Sequence, residues 1–158
     1  MMYLVEVANK KGFKDTHGEH IRHDIVGLGI ARPPQVSYTV LYRFEGQLNL
    51  KELNTIAKEL LIDPVTQNCM IHGFYENIHV PPKKSTAEYH VEVWYKPGVT
   101  DTVAESVTKA IGDLGIKKEL KIQTGHKYNI RGCSNQKMVE QITQRLLANT
   151  MIQQYTIQ

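Results

Sequence analysis

The chain has 158 residues, of which 41% are apolar and 22% are charged, and its formal net charge at pH 7 is +3. These values are ordinary for a globular protein and argue against a basic nucleic-acid-binding surface. No apolar run approaches the about 20 residues that a membrane-spanning helix needs, so we expect neither a membrane segment nor a signal peptide. Cys69 and Cys133 fit no disulfide or metal pattern, which favours the reducing cytoplasm.

The two halves of the chain are similar to each other. A shift of 86 residues aligns residues 3–71 with 89–157 without a gap, and close to a third of the aligned positions are identical. We therefore divide the chain into a first repeat at 1–72, a linker at 73–88 and a second repeat at 89–158. Two long copies do not make a solenoid. We expect a fused pseudo-dimer with pseudo-twofold symmetry, in which each copy supplies edges and core surface that a small domain lacks alone.

Each repeat begins with a predicted strand and helix. Tyr3, Val5 and Val7 alternate with other residues as in a half-buried strand, and a glycine turn follows. Thr16 and Glu19 then fit a capping box at the start of a helix. The helix has an apolar stripe and ends at a glycine. The stripe and terminal glycine are Ile21, Ile25, Leu28 and Gly29 in the first repeat, and Val107, Ile111, Leu114 and Gly115 in the second, where Thr102 and Glu105 form the box.

The rest of each repeat reads as a long strand, a second helix and a short strand. The long strand carries the alternating residues Val36 to Phe44, and Asn49 and Asn135 are good N-caps for the second helices. The short strands lie near residues 65–71 and 151–157. These patterns predict an α+β fold: a two-layer α/β sandwich of tandem β-α-β-α-β units, with a largely antiparallel sheet.

Three groups of residues are candidates for chemical sites. His17, His20 and His23 have the residue type and spacing of metal ligands, but steps of three drift around a helix and the second repeat lacks them. Asp15 with Glu19, and Asp101 with Glu105, are explained by helix capping and the helix dipole. Cys133 lies at a strand-to-helix turn without an identifiable base to activate its thiol. We therefore predict no catalytic, cofactor-binding or metal-binding residue in this chain.

Several short motifs resemble the PurS subunit of phosphoribosylformylglycinamidine synthase. In the second repeat they are the turn at residues 96–101, Glu105, Leu114-Gly115 and the segment 146–155. In the first repeat they are Gly12, Asp15, Gly18-Glu19, Leu28-Gly29 and residues 60–65. The family usually has one such copy that dimerises, and it has proline where this chain has Lys11 and Thr150. The fused arrangement resembles the N-terminal domain of the large single-chain form of the enzyme.

The resemblance implies a role in purine biosynthesis. The enzyme amidates formylglycinamide ribonucleotide with ATP and glutamine, and PurS is the non-catalytic subunit that holds the synthetase and glutaminase subunits together. It implies no activity of this chain alone and no cofactor in it, with ATP and magnesium bound by the partner synthetase. A further homo-oligomer is left open, and neither nucleic acid nor membrane is expected as a partner.

The predicted partner contacts lie in the turn 96–101, its twin 10–15 and the segment 149–154, because binding residues concentrate on exposed turns. They are Lys10, Gly12, Asp15, Lys96, Pro97, Gly98, Asp101, Asn149 and Gln153.

Two alternative functions stay open at this point. One is a regulatory α/β module that senses a small molecule at a pseudo-symmetric interface, which fold alone does not exclude. The other is a metal-binding enzyme that uses His17, His20 and His23.

Overall fold

The computed structural model describes residues 1–74 and 88–158, and within them one order of elements occurs twice. Residues 75–87 of the predicted linker lie outside the described residues. The first series is β1 (Met2–Asn9), α1 (Thr16–Gly27), β2 (Gln35–Gly46), α2 (Leu50–Ile56) and β3 (Gln67–Phe74). The second is β4 (Glu88–Tyr95), α3 (Thr102–Asp113), β5 (Leu120–Arg131), α4 (Gln136–Ile142) and β6 (Gln153–Ile157). The predicted α+β class and element order are confirmed.

The six strands form one sheet in the order β3-β1-β2-β5-β4-β6. β1 pairs antiparallel with β2 and β3, so that Val5 lies between Tyr42 and Ile71. β4 pairs antiparallel with β5 and β6, and Val91 lies between Tyr128 and Ile157. These pairings confirm the predicted antiparallel character of the sheet.

The chain folds as two compact units, and neither is made from one half of the sequence. The described parts of the first unit are residues 1–13, 40–74 and 100–124. Its core packs the side chains of β1, β2 and α2 with Ile111 of α3; the central residues are Val5, Phe44, Leu53, Ile56 and Ile111. The division of the chain at residues 72 and 89 describes sequence similarity and stays a prediction, because the compact units cross it.

The second unit is built in the same way, but here the strands of the core come mainly from the second sequence repeat and the added helix comes from the first. Its described parts are residues 14–39, 88–99 and 125–158. The core packs α1 against side chains of β4, β5 and α4, and its fully buried residues include Ile25, Val91, Val93, Ile130 and Val139. Each core therefore takes one helix from the other sequence repeat.

The caps of the long helices lie one residue earlier than predicted. The Gly18 N–H donates to Asp15 Oδ1 at 2.8 Å, and the Ala104 N–H donates to Asp101 Oδ1 at 2.9 Å. The Thr16 and Thr102 capping boxes are therefore wrong, because the carboxylate of the preceding aspartate, a stronger acceptor than a hydroxyl, caps the N–H three residues after itself.

The remaining helix ends largely follow the sequence. Asn49 and Asn135 are N-caps as predicted, and Gly29 and Gly115 follow the long helices with φ of +89° and +86°. Leu28 and Leu114 are the C-caps of α1 and α3, and Leu114, which is 41% exposed, does not belong to the buried stripe. α2 and α4 each continue as one π-helical turn, at Ala57–Leu61 and Thr143–Leu147.

Candidate functional site

Seven of the nine predicted contact residues lie on two turn surfaces, one in each unit. The first turn surface is residues 10–13 together with the loop 63–67. The second turn surface is residues 96–99 together with the loop 149–153. In both, the turn after the first strand of the series meets the loop before the last strand, because those strands are neighbours in the sheet.

A lysine fixes the first turn surface. The Lys10 N–H donates to the Thr66 carbonyl at 2.8 Å, and Lys10 Nζ donates to the Pro64 carbonyl at 2.5 Å. Asp63 organises the loop, since its carbonyl accepts from the N–H groups of Thr66 and Gln67 and its Oδ1 accepts from the Val65 N–H at 2.9 Å. Gln67 Oε1 accepts from the Asp63 N–H at 2.9 Å. The loop is thus held by its own hydrogen bonds.

The second turn surface repeats this bonding scheme atom for atom. The Lys96 N–H donates to the Ile152 carbonyl at 2.9 Å, and Lys96 Nζ donates to the Thr150 carbonyl at 2.6 Å. The Asn149 carbonyl accepts from Ile152 and Gln153, and Gln153 Oε1 accepts from the Asn149 N–H at 2.8 Å. The predicted residues Lys96, Asn149 and Gln153 therefore form one structured surface.

The two turn surfaces have equivalent hydrogen bonds but expose different side chains. The first carries an acidic residue, Asp63, with Phe13 at 45% and Val65 at 70% exposure. The second carries the neutral Asn149, with Met151 at 85% and Ile152 at 40% exposure. Of these apolar side chains, only Val65 lies outside the segments 10–15, 96–101 and 149–154 that the sequence predicts as contacts. Apolar side chains on rigid loops suit protein binding.

Asp15 and Asp101, the other two predicted contacts, point into the units instead. Asp15 Oδ2 accepts from the Tyr38 N–H at 2.8 Å, so one carboxylate links the start of α1 to β2. Asp101 Oδ2 accepts from the Thr124 N–H at 2.7 Å, and the Thr124 hydroxyl donates to the same carboxylate. Both residues fasten a helix to a strand in this structure.

The three histidines do not come together. His17 stacks on Tyr38, with ring centroids 3.9 Å apart, and its Nε2 lies 3.4 Å from Tyr128 Oη. His20 and His23 are exposed. Among residues 1–74 and 88–158, no group of three His, Cys, Asp or Glu side chains is placed to hold a metal ion.

His17 belongs instead to a cluster of two imidazoles and two phenols in the second unit. Tyr38 Oη lies 2.7 Å from His126 Nδ1. Burial raises the pKa of Tyr128, and the neighbouring Tyr38 raises it further. The phenol therefore keeps its proton at neutral pH and supplies no anionic ligand.

Cys133 and Glu19 are two of the remaining candidates from the sequence. Burial raises the pKa of the Cys133 thiol, which disfavours the reactive thiolate. Glu19 pairs with Lys14 at 2.9 Å on the exposed side of α1.

In the part of the chain that the structure describes, no helix is long and apolar enough to cross a membrane.

The fold and the surfaces define a class: a small α+β protein with one antiparallel sheet and two similarly built turn surfaces. A family model described as PurS, phosphoribosylformylglycinamidine (FGAM) synthase, matches residues 88–158, which is a little under half of the chain. No curated protein matches the chain. Residues 88–158 are thus similar to PurS, and the match connects this part of the chain with FGAM synthase and purine biosynthesis.

Proposed function

We propose that this chain is the non-catalytic bridging subunit of an FGAM synthase complex and holds the synthetase and glutaminase subunits together. The observation that carries the proposal is the pair of turn surfaces, which have equivalent hydrogen bonds and different exposed side chains. A bridge between two unlike partners needs two such surfaces. ATP and magnesium belong to the synthetase in this proposal.

Bridging has a physical purpose in a glutamine-dependent reaction. Ammonia that is released by a glutaminase into bulk water is protonated and diluted before it reaches the second active site. Holding the two active sites in fixed register raises the effective concentration of the transferred molecule. Hydrogen-bonded turns on a sheet are suited to this task because they lose little conformational entropy on binding.

The proposal extends to both halves of the chain and to its location. Residues 1–72 act as a PurS-like module that is fused to the PurS-like module at 89–158, as the repeated element order suggests. Cys69 and Cys133 are both unpaired, which favours the cytoplasm as the place of assembly. The test is co-purification of the full chain with the synthetase and glutaminase subunits in the presence of ATP and glutamine.

We expect that Met151→Glu and Val65→Glu each weaken binding of a different partner, roughly tenfold or more, because each places a charge in the apolar centre of one surface. Affinity is measured by titration against each subunit separately. Both side chains are largely exposed, so the fold tolerates the changes. Val103→Glu is the matched control: Val103 is 48% exposed in the first turn of α3 and belongs to neither turn surface.

Two outcomes contradict this proposal. In the first, the wild-type chain captures neither subunit. In the second, Met151→Glu and Val65→Glu bind both subunits as tightly as Val103→Glu does.

A further inference from the structure

A polar cavity lies in the second unit, beside the first residues of β2. β1 pairs with residues 40–45 of β2, so residues 35–39 extend past this neighbour. The start of α1 contacts the extension, because the Asp15 carboxylate accepts from the Tyr38 N–H. The cavity has a volume of about 380 Å³, which is within the range of small-molecule sites. Residues of α1, β2, β4 and β5 line it, and all of them belong to the second unit.

Charged side chains of both signs line this cavity. Arg22 comes from α1 and Arg131 from the end of β5. Arg131 donates to Glu88 at 3.3 Å. A guanidinium has five N–H groups, so Arg131 keeps donors for a ligand. Glu19 lines the cavity from α1 and pairs with Lys14 at 2.9 Å. The cavity therefore offers both guanidinium donors and carboxylate acceptors.

Neutral hydrogen-bonding side chains complete the lining. Gln35 and Ser37 lie on either side of Val36, which packs against the core of the second unit. Because successive residues of a strand point to opposite faces, Gln35 and Ser37 point away from that core. Asn129 also lines the cavity, and its Oδ1 lies 2.5 Å from His90 Nδ1, so its amide nitrogen is the group left for a ligand.

The equivalent positions of the first unit carry side chains that bond to one another. A shift of 86 residues places Lys121 at the position of Gln35 and Glu45 at the position of Arg131. Lys121 Nζ lies 3.7 Å from Glu45 Oε2, so these two charges neutralise each other. The position of Arg22 is a threonine in the first unit. The pair of arginines is therefore a property of the second unit and does not follow from the shared fold.

We propose that this cavity binds a free α-amino acid with an uncharged polar side chain. The ligand carboxylate bonds to the guanidinium groups of Arg22 and Arg131, which are suited to paired bonds with carboxylates. The ligand ammonium group bonds to Glu88, and Gln35 and Ser37 bond to its side chain. A zwitterion suits a lining with both signs of charge, whereas the carboxylates would repel an anion of high charge. This site is separate from the turn surfaces and from the proposed bridging function.

The experiment is isothermal titration of the full chain with L-serine, L-asparagine and L-glutamine, each used separately. We expect at least one of them to bind the wild-type chain. Arg22→Gln and Arg131→Gln should each weaken that binding roughly tenfold or more, because each removes a charge-assisted hydrogen bond to the carboxylate. Arg145→Gln is the matched control, since Arg145 is an exposed arginine of the same unit that is not part of the lining.

A second variant distinguishes a zwitterion site from a simple anion site. Glu88→Gln should weaken binding of the amino acid, because it removes the partner of the ammonium group. The same variant should strengthen binding of inorganic phosphate, because it removes the carboxylate that competes for Arg131. A variant that only disturbed the fold would weaken both, and circular dichroism checks that each variant is folded.

Three results overturn the proposal. In the first, the wild-type chain binds none of the three amino acids. In the second, folded Arg22→Gln and Arg131→Gln variants bind the amino acid as tightly as Arg145→Gln does. In the third, the wild-type chain binds inorganic phosphate more tightly than any of the amino acids and Glu88→Gln leaves amino-acid binding unchanged, which identifies a site for simple anions.

Discussion

At the scale of single residues, two aspartates act as clamps. Asp15 and Asp101 each cap a helix with one carboxylate oxygen and accept a strand N–H with the other, 23 residues further along the chain. A carboxylate can accept several hydrogen bonds at once, and bonds to a charged group are stronger than neutral ones. Within each unit, the aspartate therefore fixes the position of its helix relative to the strand whose N–H it accepts.

Replacing a clamp should lower the free energy of unfolding. We expect Asp101→Ala to cost about 2 kcal/mol, because the cap and the bonds to Thr124 are lost together. Asp15→Ala should cost less, since Asp15 accepts only from backbone N–H groups in the described contacts. Urea denaturation measures both. Thr124→Val separates the hydroxyl bond from the rest, and an unchanged midpoint for Asp101→Ala would contradict the clamp.

A second residue-scale prediction concerns pH. The Asn49 N–H donates to Glu52 Oε2, and Lys118 Nζ donates to the same atom at 2.7 Å. The backbone bond from Asn49 lowers the pKa of Glu52, and Lys118 lowers it further. A folded-state pKa below the unfolded value gives stability that is present above the unfolded pKa, about 4.3, and lost as pH falls through the folded pKa.

Glu52→Gln should therefore melt at a lower temperature than the wild-type chain at pH 7, and the difference should shrink below about pH 4. Thermal melts at a series of pH values measure it. Glu59→Gln, on the exposed side of the following helical turn, is the control. A difference that persists undiminished in acid would show that the carboxylate charge is not the cause.

At the scale of elements, equivalent helices differ where a neighbour comes close. α1 has Gly18 at the third position, and α3 has Ala104 there. A Cβ on Gly18 would overlap the Val36 carbonyl oxygen and lie 2.7 Å from Asp15 Oδ2. Glycine is therefore required in α1 by the close approach of β2, although it lowers helix propensity.

Gly18→Ala tests this close approach. Helix propensity alone would make the variant more stable, whereas the overlap with rigid backbone should destabilise it by about 1–3 kcal/mol. The reciprocal change, Ala104→Gly, should cost about 1 kcal/mol through propensity. Chemical denaturation of both variants distinguishes the two effects by the sign of the change at Gly18.

At the scale of the whole molecule, each compact unit takes a helix from the other half of the sequence. The core of the first unit includes Ala104 and Ile111 from α3, and the core of the second includes Ile21 and Ile25 from α1. A half-chain that folded alone would leave an apolar surface uncovered where the missing helix belongs.

The fragments 1–74 and 88–158 should each fail to fold alone and should fold when mixed. Each lacks one core helix, and association restores it. Circular dichroism of the separate and mixed fragments measures the recovery, and the intact chain is the reference. Two independently folded fragments without mutual affinity would contradict this exchange of helices.

The elements were predictable because their signals are local. Alternation in Tyr3, Val5 and Val7 marks a strand, and a glycine after a stripe ends a helix, without reference to the rest of the chain. The N-cap of α1 was predicted one residue too late because Asp15 and Thr16 are both good N-caps. The choice between them depends on a strand N–H 23 residues away.

The candidate site was predictable only in part. Lys10 and Lys96 stood out in their turns, but each binds a carbonyl 54 residues further along the chain, which no local pattern encodes. Asp101 was predicted as a contact because it follows the turn of Lys96 in the sequence, whereas its carboxylate faces inward. Met151 lies in the predicted segment 149–154, but its 85% exposure is a property of the folded loop.

The sequence by itself determined the ten strands and helices, their order and the similarity of the two halves. Each depends on short-range periodicity and backbone preference, which act between residues a few positions apart. Only the tertiary structure decided which core each long helix joins and which side chains stand exposed on the turns. Those outcomes depend on contacts between distant segments, and hydrophobic burial specifies that a face is covered without specifying which part of the chain covers it.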